Sequence, residues 1–381
     1  MINAPIWRET TIGALASISR GASPRPIASS RWFDSKSDVR WVRIADVNRS
    51  DGRTLRMTTQ ALSADGIARS RFLKPGSLIM SIAATVGIPV ITGVPTCIHD
   101  GFVALENLKA DQRFLLYLLK ASEPKLREAG QSGSQMNVNT DIVRGLAVRI
   151  PDDRKEQERI AATLWDLDDQ IGTLERLIVK KQAIKQGMMQ QLLTGRTRLP
   201  GFGEPWRPTL LGDILTVRHG KSQKYVESAH GRYPVLATGG QIGWADRALY
   251  AKPSVLIGRK GTIDKPQYQA APFWTVDTLF YTEISSAADP RYLYYVFLTV
   301  DWKSMNEASG VPSLSSSRVE GVDLRLPDIV EQRAIRSILD DADMEVSALQ
   351  SRLDKANDVK QGMMQQLLTG RSRLPGKEGV A

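Results

Sequence analysis

Three strings in this sequence approach catalytic motifs, and each lacks a residue that would carry the chemistry. Adenine methyl transfer needs an Asn/Asp-Pro-Pro-Tyr/Phe loop, but Asp289-Pro290-Arg291-Tyr292 has arginine where the second proline belongs. A nucleotide-driven motor needs Gly-x4-Gly-Lys-Ser/Thr to cradle phosphates; Gly220-Lys221-Ser222 supplies the end, while Leu215 occupies the first glycine position. Glu123-Pro124-Lys125 imitates a nuclease Glu-x-Lys at the end of a predicted helix, with no obvious acidic partner. Cys97 and His99 are spaced as two metal ligands, yet His219 and His230 are the only other histidines and neither sits at ligand spacing. No metal, cofactor or catalytic triad is expected, and the chain reads as a non-enzyme.

What remains is chemistry for holding a polyanion. Lys and Arg number 51 against 41 Asp and Glu, a formal charge of +10, which favours such a partner. Were that polyanion a nucleic acid, lysines and arginines would meet phosphates, and hydrogen-bonding side chains on exposed loops would read base edges. The richest loops follow the first strand of each globular part: Arg20, Ser23, Arg25, Arg31, Lys36 and Arg40 in one, His219, Lys221, Ser222, Gln223 and Lys224 in the other. Later loops add Ser134, Gln135, Asn137 and Asn139, then Arg259 and Lys260, then Ser313 and Ser315. The competing reading is an interaction scaffold that grips proteins, its basic surplus serving only solubility.

The elements that must position these loops are written twice. KQGMMQQLLTGR occurs at Lys185–Arg196 and again at Lys360–Arg371, 175 positions later, and both copies run on through Arg-Leu-Pro-Gly. Glu156-Gln157 and Ile160 recur at that offset as Glu331-Gln332 and Ile335. Asp153 with Glu156, and Asp328 with Glu331, predict capping boxes opening a long helix behind a proline; Gly195 and Gly370 predict its end. Ile160, Leu164, Leu167, Ile171, Leu174 and Ile178 step by four and three, as do Ile335, Leu339, Ala342, Val346, Leu349 and Leu353. These are heptad seams, and the simplest partner for one is the other; the alternative is two separate amphipathic helices, each on its own domain. A helix of roughly 42 residues spans ~63 Å, so pairing requires the second to run back antiparallel and return the C-terminal end to the first domain. Gly187 and Gly362 lie inside these helices, where glycine costs roughly 1 kcal/mol relative to alanine. Close approach of another backbone, from the partner helix or another subunit, would compensate. Met188, Met189, Met363 and Met364 then serve as adaptable partner contacts or as ordinary core.

The globular parts also resemble each other. WRETTIGALASISRG from Trp7 lines up with WRPTLLGDILTVRHG from Trp206, KPGSLIMSIAATVG from Lys74 with KPSVLIGRKGTID from Lys252, and GSQMNVNTDIVRGLAVRIP from Gly133 with GVPSLSSSRVEGVDLRLP from Gly310. Mixed strands with short helices near Phe114–Ala121 and Tyr292–Val300 are expected. The expected class is α+β: two mixed globular domains (1–151 and 200–327) separated by two helical regions (152–199 and 328–381), the helices forming an antiparallel coiled coil with a pseudo-twofold internal repeat. A single cysteine excludes an intrachain disulfide and fits a reducing cytoplasm. No apolar run approaches a membrane span, and MINAPIWRETTIGAL lacks a signal-peptide pattern.

With these residues in place, the sequence resembles the specificity subunits of type I restriction-modification systems over nearly its whole length. The Pro-Asp...Glu-Gln-x-x-Ile helix starts, the LLTG-R helix ends and the repeated domain openings carry that resemblance. It implies two target-recognition domains, each reading half of a bipartite, asymmetric double-stranded DNA target. It also implies helices that set the gap and dock methyltransferase subunits, two of them, with restriction/translocase subunits joining the full complex.

Overall fold

The computed structural model describes residues 7–130 and 138–374. Two compact units divide the chain: Met1–Arg176 with Ser351–Ala381, and Leu177–Gln350. Each unit holds one globular body and a piece of both long helices.

The same plan builds both bodies. In the first, the opening strand Trp7–Thr11 runs antiparallel to the closing strand Ala147–Pro151, with Trp7 opposite Pro151. In the second, Arg207–Leu210 pairs with Asp323–Leu326 in the same way. A four-residue helical turn comes next, Ile12–Leu15 or Leu211–Ile214, and then the first strand of the main sheet. That sheet runs Ser17–Arg20, Phe102–Glu106, Leu78–Ser81, Pro89–Thr92, Thr54–Leu55 in the first body and Leu215–Arg218, Leu279–Ile284, Ser254–Gly258, Gln267–Gln269 in the second. Its first four strands correspond one to one, and the first body adds Thr54–Leu55 as a fifth. The runs LIMS and SVLIG are buried at every residue, as expected of strands covered on both faces. Helices Gln112–Ala121 and Pro290–Phe297 supply much of that cover, with Phe114, Leu115 and Tyr117, or Tyr292, Leu293 and Tyr295, in the cores.

In architecture the two bodies diverge through insertions. The first body carries a second sheet ordered Gln60–Ala61, Arg40–Val42, Thr96–Ile98, Arg71–Leu73; the second carries a three-stranded one ordered Gly240–Ala245, Tyr233–Ala237, Trp274–Thr275.

The repeated segments form helices Arg154–Leu192 and Ile329–Leu367, 39 residues each. None of the twelve seam residues is exposed. In the first unit Lys360 Nζ lies 2.6 Å from Asp168, and Leu367 and Leu368 share a core with Ile160 and Leu164, so the two helix pieces run antiparallel. In the second, Lys181 pairs with Glu345 at 2.6 Å and Lys185 with Asp343, while Met189, Leu192 and Leu193 join Ile335 and Leu339. The end of the second helix does return to the first body: Gly370, at φ +71°, sits against the indole of Trp7, as Gly195, at φ +69°, sits against that of Trp206. Both φ values lie where glycine is favoured, so both helices end as expected.

The helix starts differ from expectation. Asp153 Oδ1 accepts from the Lys155 amide and Asp328 Oδ1 from those of Val330 and Glu331, so the aspartates cap. The glutamates do other work. Buried Glu331 takes two hydrogen bonds from the Arg198 guanidinium and one from Trp206 Nε1, and Glu156 pairs with Arg159 at 3.0 Å. A buried carboxylate is retained where a guanidinium matches it, so Glu331 fastens the segment beyond the first long helix rather than closing a capping box.

The adjacent glutamines bind body to helix. Gln157 Oε1 accepts from the Asp111 amide and its Nε2 donates to the Pro151 carbonyl, both at 2.8 Å. Gln332 repeats this with Asp289 and Pro327, both at 2.9 Å, and adds the Ala287 carbonyl at 3.2 Å. Asp111 and Asp289 are themselves the caps of the two core helices. Each glutamine therefore ties the start of a core helix to the start of a long one.

Candidate nucleic-acid interface

In both bodies the chain leaves the first sheet strand at a glycine with no room for a side chain. A Cβ on Gly21 would stand 2.1 Å from the His99 carbonyl oxygen, and one on Gly220 would stand 2.0 Å from that of Val276. The loop after the first strand is thus pressed onto the turn before the neighbouring strand, His99–Gly101 in one body and Val276–Thr278 in the other.

In the first body this turn gathers three of the residues singled out by sequence. Arg20 Nε donates to the Asp100 carbonyl at 2.7 Å, Ser23 Oγ to Asp100 Oδ1 at 2.6 Å, and Arg25 Nη2 to Asp100 Oδ2 at 3.1 Å. The Ser23 hydroxyl first, with further help from Arg25, holds the Asp100 carboxyl below its usual range, so it is an anion at neutral pH. His99 Nδ1 accepts from the Gly101 amide, and burial lowers the imidazole's pKa, keeping it neutral. The other three candidates lie apart from this turn. Arg31 stacks on Trp32 at 3.7 Å. The Lys36 amide is tied to Asp34, and Arg40 is half-buried on the second sheet.

The second body assembles more of its set. The Lys221 amide donates to the Thr275 carbonyl and the amides of Arg259 and Lys260 to that of Thr278; Lys260 bridges to Ser313. Arg259 Nη1 donates to the Asp277 carbonyl at 3.3 Å, much as Arg20 does to Asp100. Lys221, Ser222, Lys224 and Lys260 are exposed around this turn; Gln223 and Ser313 are half-buried. His219 lies edge-on to Phe280, with ring centroids 4.9 Å apart.

Two loop candidates also have a structural role. Asn139 Oδ1 caps helix Thr140–Gly145, accepting from Asp141 and Ile142, and Ser315 Oγ caps Ser316–Glu320 while donating to Glu307. Their acceptor oxygens are spent on the fold. Ser134, Gln135 and Asn137 lie outside the described residues.

Among the partner-contact candidates, Met189 is 4% exposed and belongs to the core of its unit. Met188, Met363 and Met364 are half-buried against the same cores, so they are packing residues first. Nothing lies within 4 Å of a Cβ built on Gly187 or Gly362, which rules out close approach of the partner helix as their reason.

Sequence reading missed the turn itself. Its signal was present: Asp100-Gly101-Phe102 and Asp277-Thr278-Leu279 each place an aspartate two residues before a buried strand. Cys97 is buried, and burial pushes its thiol up to about 11, leaving it unreactive. Among the described residues no cluster of three His, Cys, Asp or Glu can hold a metal, and no helix is long and apolar enough to cross a membrane.

Two loop-bearing sheet bodies on a duplicated helical frame define a two-headed recognition protein. The model of the type I restriction modification DNA specificity domain matches residues 6–185 and again 203–356, and the chain belongs to that family. Among curated relatives, the type I restriction enzyme MjaVIII specificity subunit of Methanocaldococcus jannaschii is 22% identical over 75% of this chain and 76% of its own. The EcoprrI specificity subunit of Escherichia coli is 20% identical, covering 84% and 83%. The fold matches the type I system S subunit from M. genitalium (TM-score 0.68, 15% identity, 96% and 97% covered) and the HsdS subunit from Thermoanaerobacter tengcongensis (TM-score 0.52, 17% identity, 97% and 98% covered).

Proposed function

We propose that this chain is the specificity subunit of a type I restriction-modification complex in a reducing cytoplasm, with catalysis carried by other subunits. Its bodies, 1–151 and 200–327, each read one half of a bipartite, asymmetric duplex target, and its helical regions, 152–199 and 328–381, set the gap and dock methyltransferase subunits. The observation that carries this is the repeated turn: one frame presses a polar loop onto the end of the main sheet in both bodies, and the two loops differ in most of their polar residues. A shared frame with unlike loops is what an asymmetric target requires.

Docking of two methyltransferase subunits is supported by the helix surfaces. Ile184 and Val359, 175 positions apart, are 44% and 51% exposed, each three residues before one of the open glycines. An exposed apolar side chain beside an open glycine therefore recurs at the same place in both helices, and restriction/translocase subunits would join through the assembled complex.

Exchanging Trp206–Pro327 for the corresponding body of another specificity subunit tests the reading. Mapping methylated adenines should then show one half-target replaced and the other kept; loss or change of both halves would refute modular reading.

A further inference from the structure

The turn in the first body carries a device that the second lacks. Counting from the equivalent glycines, Arg25 corresponds to Lys224 and Ser23 to Ser222. Arg25 leaves its side chain 73% exposed while one of its donors is fixed on Asp100. An exposed ion pair contributes little to stability, so orientation is the better account of this one. The Asp100 carboxylate offsets the guanidinium charge, which weakens attraction to a phosphate. It leaves the remaining donors of the fork free and pointed, which suits the neutral acceptor edge of a base. Arg25 also forms one wall of an open cleft of about 340 Å³, with Trp41, Arg43 and His99 among the other lining residues, so there is room beside it for a base-pair edge.

We propose that Arg25, aimed by Asp100 and Ser23, is the specificity-determining side chain for a guanine in the half-target of the first body, donating to its O6 and N7 in the major groove. This rests on the DNA-reading function above and adds the residue and the base. Lys224, a point cation without a fork, gives the second body no equivalent reader at that position.

The test is selection of bound duplexes from a randomised pool by the full chain with its methyltransferase subunits, run for wild type, Arg25→Ala, Arg25→Lys and Asp100→Asn, alongside salt titrations. The wild type should select a bipartite motif with a G·C pair in the first body's half. Arg25→Ala and Arg25→Lys should each lose about 5- to 150-fold of the discrimination at that pair alone, equivalent to ~1–3 kcal/mol. Asp100→Asn should relax the same pair while keeping overall affinity. Uniform weakening at all positions by Arg25→Ala, with the salt slope lower by about one, would mean a phosphate contact and overturn the proposal. An unchanged motif, or a first half without a G·C pair, would also overturn it. A wild type that selects no motif at all would instead remove the DNA-reading function beneath it. Arg25 is exposed, so unchanged melting of its variants separates recognition from folding.

Discussion

Replacing Gln332 with alanine should loosen the second body from its helix by an amount the hydrogen bonds set. The side chain is fully buried and makes three of them, from the Asp289 amide and to the Pro327 and Ala287 carbonyls. Alanine removes all three and strands the buried Asp289 amide and Pro327 carbonyl away from water. At ~1 kcal/mol net per bond, with an added penalty for stranded groups, the loss is about 2–4 kcal/mol. For a unit of this size each kcal/mol lowers the melting temperature by roughly 2–4 °C, so a drop of about 4–16 °C is expected for the second unit. Hydrogen exchange followed by mass spectrometry supplies the local reading: amides of 287–297 and 323–330 should exchange faster, and those of the first body should not. Gln157→Ala, which loses two bonds, should mirror this in the first body with a smaller shift. A Gln332→Ala shift corresponding to less than about 0.5 kcal/mol, or equal acceleration in both bodies, would refute the argument that these glutamines are the body-to-helix fasteners.

Two further outcomes rest on the polar groups. Lys360→Met leaves Asp168 with the Tyr117 hydroxyl, whereas Lys185→Met leaves Asp343 with both Tyr295 and Arg291. The first should therefore cost about 1–2 kcal/mol and the second less, and equal shifts in thermal melts would show that Arg291 does not compensate. With its pKa at about 11 in the folded chain, Cys97 should react with iodoacetamide at pH 8 roughly a hundredfold more slowly than in the urea-unfolded chain. Because that folded pKa lies above the unfolded value, the associated stability is complete below about pH 9 and falls as pH rises through 11; a flat melting temperature from pH 9 to 11 would contradict it.

The frame was legible because duplication wrote every signal twice. The seams and the glycine ends lie where local pattern and burial agree. The capping boxes were misread because Glu156 and Glu331 satisfy the local pattern but answer to other partners, and for Glu331 only the fold brings Arg198 and Trp206 near. Loop chemistry was legible by composition and not by role. Asn139 and Ser315 read as exposed polar loop residues, yet each precedes a short helix that claims its oxygen. Asp100 went unseen because an acid in a polyanion-binding loop looks like the wrong charge until its arginine and serine partners are placed beside it.

The places where the two copies part company show which contacts belong to the frame and which to the bodies. KQGMMQQLLTGR is identical in both, and its lysine, methionines and leucines meet partners common to both units: an aspartate, a core and a tryptophan-capped helix end. Trp165 and Asp340 also sit 175 positions apart, but they differ, and so does what they hold. Arg113 stacks on Trp165 at 4.4 Å, joined by Arg53 at 4.6 Å from the first body's own insertion. Arg291, at the matching place in the second core helix, pairs instead with Asp340 at 2.9 Å and is surrounded by Tyr268, Tyr294 and Tyr295. Arg53 comes from a segment without a counterpart in the second body, and Tyr268 from a main-sheet strand whose sequence the first body does not share, so the helix residue beneath each has been matched to its own body. Each recognition body is therefore seated on a helix position that differs between the copies, Trp165 beneath the first and Asp340 beneath the second.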